Sequence, residues 1–310
     1  RARAHWPGPP IAHFRTLAGT LFRFHWHVED LGNTLVTGLP GGGKTLATGF
    51  LLANTAGRAR IVALDHKRGW QFLIQRLGGT YAVLGAGKPS LAPLKALNAE
   101  PHNIDFLTTL IRGCIGGVMT EEEGRRLSTA LQTVMRLKPE MRNMGEVRAF
   151  FDGDPEGAGA RLEKWIWGNE LGWVIDAPVN TVAMTDLMGL DTTHLLANPR
   201  ARGPAMSVLF HYIDLMLDGT PLLIPIDEGW RALEDDTFRP AIAAKIRTIR
   251  SKGGVIVFIT QSPGDIVKAG IADVLIDMCP TQMHFANPRA SRADFTDGLK
   301  MTEGQWEAFR

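Results

Sequence analysis

The sequence predicts an α/β fold whose core is a mainly parallel sheet flanked by helices. Short apolar runs such as Arg60–Leu64 and Val255–Thr260 are typical of strands buried on both faces. Helical segments separate these runs, and strands that alternate with helices favour a parallel sheet. A long helical stretch interrupts the alternation after residue 97. We therefore expect core residues 1–97, an inserted all-helical subdomain at 98–178, and core residues 179–310.

A phosphate-binding loop is predicted at Gly38–Thr45, where GLPGGGKT fits the pattern G-x-x-x-x-G-K-[ST]. A strand at Thr34–Thr37 precedes it and a helix from Lys44 follows it, as such a loop requires. Its glycines let backbone N–H groups converge on a triphosphate such as ATP. Lys44 supplies a charge for the β- and γ-phosphates, and Thr45 offers a hydroxyl to Mg²⁺. The candidate nucleotide-binding residues are Gly38, Pro40, Gly41, Gly42, Gly43, Lys44, Thr45 and Leu46.

Two adjacent acids follow the apolar strand Leu222–Ile226 and complete a Walker B pattern. We expect Asp227 to hold the hydration shell of Mg²⁺ and Glu228 to polarise the attacking water as a general base. Pro225 cannot donate to the strand ladder, so a local irregularity is predicted in this strand. The metal-binding candidates are thus Thr45 and Asp227, and the catalytic candidates begin with Lys44 and Glu228.

Polar residues also follow two other strands, at the edge where ligands of parallel sheets bind. Gln261 comes directly after Val255–Thr260, where its amide could sense the γ-phosphate or orient water. Asp65, Lys67 and Arg68 follow the strand that starts at Arg60. Two interpretations of this charged segment stay open. It contacts the nucleotide, a Mg²⁺-bound water or a neighbouring subunit, or it is a solvated turn.

Start signals and apolar spacing define the helical insertion and the segment after it. Asn103 is predicted to cap a helix over Ile104–Ile111, and Thr120 opens a capping box with Glu123. Farther on, Val182–Met184 has the apolar character of a short strand, which precedes Asp186–Asp191.

Composition sets few limits on the function. The 310 residues carry 34 Lys and Arg against 32 Asp and Glu, and a net charge of +2 does not indicate a surface that coats nucleic acid. The two cysteines lie far apart, so no disulfide framework is expected. No apolar run approaches the roughly 20 residues of a membrane span. The chain lacks an initiator Met and ends inside an apparent helix, so we expect a fragment of a longer protein.

Several motifs occur together in an order that resembles one family, the CagE/TrbE/VirB ATPases of bacterial type IV secretion and conjugation systems. The combination of Asp-Glu-x-Trp with Gln-Ser-Pro is more specific than the phosphate-binding loop. The resemblance covers nearly the whole chain from about residue 11. The motifs are Gly38–Thr45, Ile226–Trp230, Thr260–Pro263 and Asn287–Ala290, with Leu64–Gly69, Leu77–Tyr81, Ile271–Asp273 and Cys279–Thr281.

The resemblance implies a RecA-like P-loop core of the HerA–FtsK type, an inserted helical subdomain, and a further N-terminal domain in the whole protein. It also implies a homo-oligomer, commonly a hexamer, at the cytoplasmic face of the bacterial inner membrane. There it would work with other inner-membrane and ATPase components of the secretion system. Two departures from the family pattern are Pro225 and the segment Leu91–Leu94, where relatives often carry Asn-Pro.

A further cation is expected to act from a neighbouring subunit, because NTPases of this kind usually need one on the developing charge. Arg250 and Arg289 are equal candidates for this arginine finger, with Arg247 behind them. The resemblance implies an ATP-hydrolysing motor domain that energises pilus assembly or substrate transfer, and two other functions stay open. One is a DNA-translocating motor related to coupling proteins, against which the near-zero net charge argues mildly. The other is a scaffold that binds nucleotide in order to assemble.

Overall fold

A computed structural model describes most of the chain. The positions that it does not describe are 1–5, 7, 30, 86, 88–90, 152, 154, 229, 230, 232, 233, 241–243, 245–247, 250, 262, 269, 271, 288–290 and 310. For residues 263, 265, 268, 273 and 274 it describes the backbone.

Two sheets are present in the described residues. An antiparallel hairpin pairs β1 (Ala12–Arg15) with β2 (Leu21–Phe24). The main sheet has the order β5-β6-β4-β7-β8-β3-β9, and all its neighbouring strands run parallel. Its strands are β3 (Thr34–Thr37), β4 (Arg60–Asp65), β5 (Thr80–Val83), β6 (Leu187–Asp191), β7 (Leu222–Asp227), β8 (Gly254–Thr260) and β9 (Thr281–His284). The predicted α/β class is confirmed, and all seven C-terminal strand ends meet at one edge.

Helices connect the strands of the main sheet, and those between β5 and β6 form the longest interruption. The helices are α1 (Lys44–Thr55), α2 (Gln71–Arg76), α3 (Pro93–Ala96), α4 (Pro101–Ile115), α5 (Glu121–Val134), α6 (Met144–Arg148), α7 (Ala158–Glu163), α8 (Gly172–Ile175), α9 (Thr193–Ala197), α10 (Pro199–Leu215), α11 (Pro263–Lys268), α12 (Ala272–Met278) and α13 (Glu303–Phe309). A 3₁₀ turn lies at Pro139–Met141 and a π-helical turn at Asp294–Gly298. Within the part of the chain that is described, no helix has both the length and the apolar character needed to cross a membrane.

The core consists of two clusters, one on each face of the sheet. Successive residues of β4 alternate between them, with Val62 in one cluster and Ile61 in the other. Burial on both faces explains why the sequences of these strands are nearly continuous apolar runs. The larger cluster also includes Leu107 of α4, so the inserted helices share a core with the sheet. Cys114 and Cys279 are separate buried thiols, which confirms the expectation of no disulfide framework.

The strand predicted at Val182–Met184 is wrong, because that segment has no regular structure. The strand lies instead at Leu187–Asp191 (β6), between β5 and β4. Gly189 in its centre weakens the strand pattern in the sequence. Packing requires this glycine, since a Cβ at that position would lie 2.5 Å from the ring of Tyr81.

The predicted capping role of Asn103 is also wrong, whereas that of Thr120 is confirmed. The helix α4 begins at Pro101, two residues before Asn103, because proline is well tolerated in the first turn. The Asn103 side chain instead donates to Asn98 Oδ1 at 2.6 Å, inside the fold. Thr120 Oγ1 accepts from the Glu123 N–H at 3.1 Å, and the Glu123 carboxylate accepts from the Thr120 N–H at 2.8 Å.

The irregularity predicted at Pro225 falls on one side of its strand. The pairing of β7 with β8 continues through Pro225, which lies opposite Val257. The pairing of β7 with β4 joins Leu222, Leu223 and Ile226 to their partners and skips Ile224 and Pro225. The strand nevertheless carries Asp227 to the same edge as the other strand ends.

Candidate nucleotide-binding site

The predicted phosphate-binding loop joins the end of β3 to the start of α1, and β3 lies between β8 and the outermost strand β9. Gly41 and Gly43 have φ angles of 77° and 93°, a region that residues with a Cβ rarely adopt. Gly43 is the residue before the first turn of α1. The first N–H groups of a helix lack intrahelical partners, so this loop aims polar backbone toward an anion.

Lys44 is buried at the base of the loop, with 6% of its surface exposed. Its Nζ donates to the carbonyl of Gly38 and, at 2.9 Å, to that of Leu39. Burial lowers the pKa of Lys44, and the nearby charges of Asp227 and Glu228 act in the opposite direction. The ammonium group therefore lies between the loop and the acidic pair.

Five of the predicted binding residues are exposed. They are Pro40, Gly41, Gly42, Thr45 and Leu46. Gly38 is buried and Gly43 is half-buried. The predicted binding residues thus form one open rim around the buried lysine.

The acidic pair lies at the end of β7. This strand pairs with β8, and β8 pairs with β3, the strand that leads into the loop. Glu228 is buried and has a φ of 58°, a strained value for a residue with a side chain. Its N–H donates to the carbonyl of Ile259 at 2.9 Å. Burial, followed by the charges of Glu228 and Asp65, raises the pKa of Asp227 to about 7.

Gln261 meets the acidic pair through its main chain. Its N–H donates to Glu228 Oε1 at 3.0 Å. The ends of β7 and β8 are therefore joined by two hydrogen bonds. The Glu228 N–H donates one of them, and the Glu228 carboxylate accepts the other. The bond to the carboxylate uses the backbone of Gln261, and the role of its amide toward the γ-phosphate or the water stays a prediction.

Asp65 is not part of a solvated turn, because none of its surface is exposed. Its carboxylate accepts from the N–H groups of Gly69 at 3.1 Å and Trp70 at 2.9 Å, and from the Tyr81 hydroxyl at 2.5 Å. Burial raises the pKa of Asp65, while the bond from Tyr81 acts against that shift. Arg68, by contrast, is exposed and pairs with Asp191 at 3.3 Å. The solvated turn is therefore wrong for Asp65, and contact of this segment with a ligand or a neighbouring subunit stays a prediction.

Two aromatic residues beside the loop were missed by the sequence reasoning. Trp70 Nε1 donates to the carbonyl of Thr45 at 3.2 Å. Phe285 lies below two loop glycines, since a Cβ at Gly38 would be 2.6 Å from Phe285 Cβ and one at Gly43 would be 3.8 Å from its ring. The available signal was their position beyond strand ends, Phe285 directly after β9 and Trp70 in the turn that follows β4.

The arginine candidates cannot be compared with this geometry. Arg247, Arg250 and Arg289 lie outside the described residues. Their role as a finger from a neighbouring subunit stays a prediction.

The residues present fit a nucleotide with Mg²⁺. Lys44 of the loop acts on the charges of Asp227 and Glu228, and burial disfavours the Asp227 charge unless a cation compensates it. In the described part of the chain, no group of three or more His, Cys, Asp or Glu could hold a metal by itself. Mg²⁺ at nucleotide sites typically takes one or two carboxylates and completes its shell with phosphates and water. A hydroxyl and one carboxylate are therefore sufficient protein ligands.

The parallel sheet, with a glycine loop after β3 and acids after β7, defines a RecA-like P-loop fold. The solved structure of VirB4 of Thermoanaerobacter pseudethanolicus has the same fold, with a TM-score of 0.76 at 17% sequence identity. That match covers 97% of this chain and 90% of the solved one. No protein-family model matches the chain.

Curated relatives identify the family. The chain is 36% identical over 307 residues to the type IV secretion system protein VirB4 of Bartonella quintana, with 97% of this chain aligned. It is 36% identical to VirB4 of Rhizobium radiobacter over 318 residues and 30% identical to VirB4 of Brucella abortus over 304 residues. The chain belongs to the VirB4 family, which confirms the resemblance. It spans 39%, 40% and 37% of the length of these three relatives.

Proposed function

We propose that this chain is the ATP-hydrolysing motor domain of a type IV secretion system, which energises pilus assembly or substrate transfer. The observation that carries the proposal is the convergence of Lys44, Asp227 and Glu228 at one edge of the sheet. Lys44 follows β3 and the acids lie at the end of β7, two parallel strands with β8 between them, and the charges of Asp227 and Glu228 both favour the ionised form of Lys44. A phosphate-binding cation beside two carboxylates is the arrangement that nucleotide hydrolysis requires.

The loop binds the triphosphate in this proposal. Backbone N–H groups at Gly41–Thr45 hold the phosphate oxygens, and Lys44 neutralises charge on the β- and γ-phosphates. Its carbonyl partners at Gly38 and Leu39 then keep the ammonium aimed along the loop.

Thr45 and Asp227 hold Mg²⁺ in this proposal, Thr45 through its hydroxyl and Asp227 through the metal's water. When bound, Mg²⁺ neutralises the charge that develops on the β- and γ-phosphate oxygens. An ionised Asp227 is needed for this role, and a nearby cation would favour its ionised form.

Glu228 acts as the general base toward the attacking water. Its carboxylate is fixed by the Gln261 N–H at 3.0 Å, which leaves a defined direction for the other oxygen. The Gln261 amide follows immediately and would sense the γ-phosphate or help to orient the water.

The organisation beyond this chain is also proposed. Helices of residues 98–178 form a subdomain inserted into the core, and the protein forms a homo-oligomer, in our proposal a hexamer, with other secretion components. It would lie at the cytoplasmic face of the inner membrane. The VirB4 identity of the aligned relatives supports these statements. The aligned region is less than half of each relative, so the statements concern a larger protein than this chain.

The test is ATP hydrolysis by the chain at increasing protein concentration, with oligomer mass measured in parallel and with and without DNA. A motor completed by a neighbouring subunit should show a specific rate that rises as the oligomer forms. Stimulation by DNA would favour a DNA-translocating motor instead. Binding of ATP without turnover at any concentration would favour the assembly scaffold.

A further inference from the structure

A tryptophan reaches the loop residue that is proposed to bind Mg²⁺. Trp70 is almost wholly buried, with 2% of its surface exposed, and its indole N–H donates to the backbone carbonyl of Thr45 at 3.2 Å. Thr45 itself is exposed at the rim of the loop. The indole thus holds the backbone of a residue whose side chain is directed to the ligand side in our proposal.

Trp70 is in turn held by the turn that follows β4. Its N–H donates to Asp65 Oδ2 at 2.9 Å, and the same oxygen accepts from the Tyr81 hydroxyl. The Asp65 carbonyl accepts from the N–H of Thr192 at 2.9 Å, at the end of β6. Hydrogen bonds therefore connect β5 and β6, through Asp65 and Trp70, to the loop.

A second contact joins the same turn to the Thr45 side chain. A Cβ at Gly69 would lie 2.9 Å from Thr45 Cγ2, so the glycine lets the turn approach the threonine closely. The Thr45 carbonyl is thus held by a hydrogen bond from Trp70, and the position of the Thr45 side-chain methyl is limited by the Gly69 backbone.

We propose that Trp70 is a positioning residue that fixes Thr45 for Mg²⁺ and so determines how strongly the metal strengthens nucleotide binding. The inference rests on the proposed function. Trp70 does not touch the ligand in this account. It acts through Thr45, because a threonine held in one orientation presents its hydroxyl without a further ordering cost.

The chain provides a matched control at the other end of the same helix. Trp26 is also buried, with 2% of its surface exposed, and its indole N–H donates to Thr55 Oγ1 at 2.9 Å. Thr45 lies in the first turn of α1 and Thr55 at its last residue. Replacement of either tryptophan by Phe removes a buried indole bond to α1, but only one replacement affects the loop.

The experiment measures the affinity of the chain for a fluorescent ATP analogue, in excess Mg²⁺ and in EDTA. The quantity compared is the ratio of the two affinities in the unmodified chain, Trp70→Phe and Trp26→Phe. Thermal unfolding without nucleotide reports the loss of stability in each variant. The ratio removes effects that act equally on binding with and without metal.

Trp70→Phe should lower the ratio about fivefold, as expected for loss of one hydrogen bond of about 1 kcal/mol. Trp26→Phe should leave the ratio unchanged. An unchanged ratio in Trp70→Phe would overturn the inference, and so would an equal loss of affinity in both conditions. If the unmodified chain binds no nucleotide at all, the proposed function fails first and the inference fails with it.

A smaller change tests the same point if Trp70→Phe does not fold. Gly69→Ala adds a methyl group on an exposed turn, directed at Thr45 Cγ2. It should lower the ratio, whereas Gly304→Ala, where nothing lies within 4 Å of the added carbon, should not. Equal ratios in the two alanine variants would overturn the inference.

Discussion

The backbone N–H of Gln261 donates to the carboxylate of Glu228 at 3.0 Å, and this bond ties the proposed general base to the neighbouring strand. Glu228 is also held by its own N–H, which donates to Ile259. A buried carboxylate with a φ of 58° needs such support, because that backbone conformation is unfavourable for a residue with a side chain. The strain lies at the position where the proposed chemistry takes place.

Replacement of Glu228 by Gln should stop hydrolysis while ATP still binds. The amide keeps the shape and can still accept from Gln261, but it cannot act as a base. We expect turnover to fall by about 10² to 10⁴, the usual contribution of general base catalysis. Steady-state hydrolysis and equilibrium ATP binding measure the two effects separately. A variant that retains most of its turnover would remove Glu228 from the catalytic role.

Gln261→Ala should have a smaller effect than Glu228→Gln. Because the bond to Glu228 comes from the Gln261 backbone, the alanine variant keeps the base in position. Only the amide is lost, and we expect turnover to fall about tenfold with little change in ATP affinity, as for loss of one hydrogen bond in the transition state. Equal losses of turnover in the two variants would mean that the amide, and not the backbone bond, organises the base.

The pKa of Asp227 predicts how nucleotide binding changes with pH. Burial raises this pKa to about 7, so the folded chain without ligand holds a proton that the unfolded chain releases near pH 4. The stability contributed by this group is present below about pH 4 and is lost as the pH rises through 7. Binding with Mg²⁺ needs the ionised form and should therefore strengthen between pH 6 and 8.

Asp227→Asn is the control for this effect, because the phosphates of the nucleotide also titrate near neutral pH. The variant should lose affinity in Mg²⁺ and show a flatter pH dependence than the unmodified chain. Without nucleotide it should unfold at a higher temperature than the unmodified chain at pH 8, and the difference should shrink at pH 5. The same difference at both pH values would contradict the raised pKa.

The sequence predicts the parts of the site that one continuous stretch encodes and misses those that depend on neighbours. Gly38–Thr45 and Leu222–Glu228 each carry their chemistry in a local pattern. Gly189 shows the opposite case, because its packing against Tyr81 could not be seen before β5 and β6 were paired. For the same reason the sequence left a solvated turn open for Asp65, since the donors to its carboxylate include a hydroxyl from another strand.

Thr120→Ala should weaken the fold without affecting the nucleotide site. The capping box satisfies two backbone N–H groups at the start of α5, those of Thr120 and Glu123. The Glu123 carboxylate also accepts from the N–H of Ala158 at the start of α7. Loss of such a cap costs about 1 kcal/mol of unfolding free energy. Urea denaturation measures this loss, and ATP affinity should stay constant. Thr129→Ala on the same helix is the control, because its hydroxyl donates to the Arg125 carbonyl in the preceding turn and takes no part in the capping box.

The arginine finger can be tested by mixing subunits. If Arg250 or Arg289 acts in a neighbouring subunit, its replacement by Ala should lower turnover and leave ATP affinity unchanged. A subunit with Arg250→Ala or Arg289→Ala keeps Glu228, and a Glu228→Gln subunit keeps both arginines. Mixing the two inactive variants should therefore restore part of the activity at their shared sites. Arg148→Ala, which breaks a surface ion pair with Glu163, should be fully active alone. A mixture that stays inactive for both arginines, while oligomers form, would rule out their action across subunits.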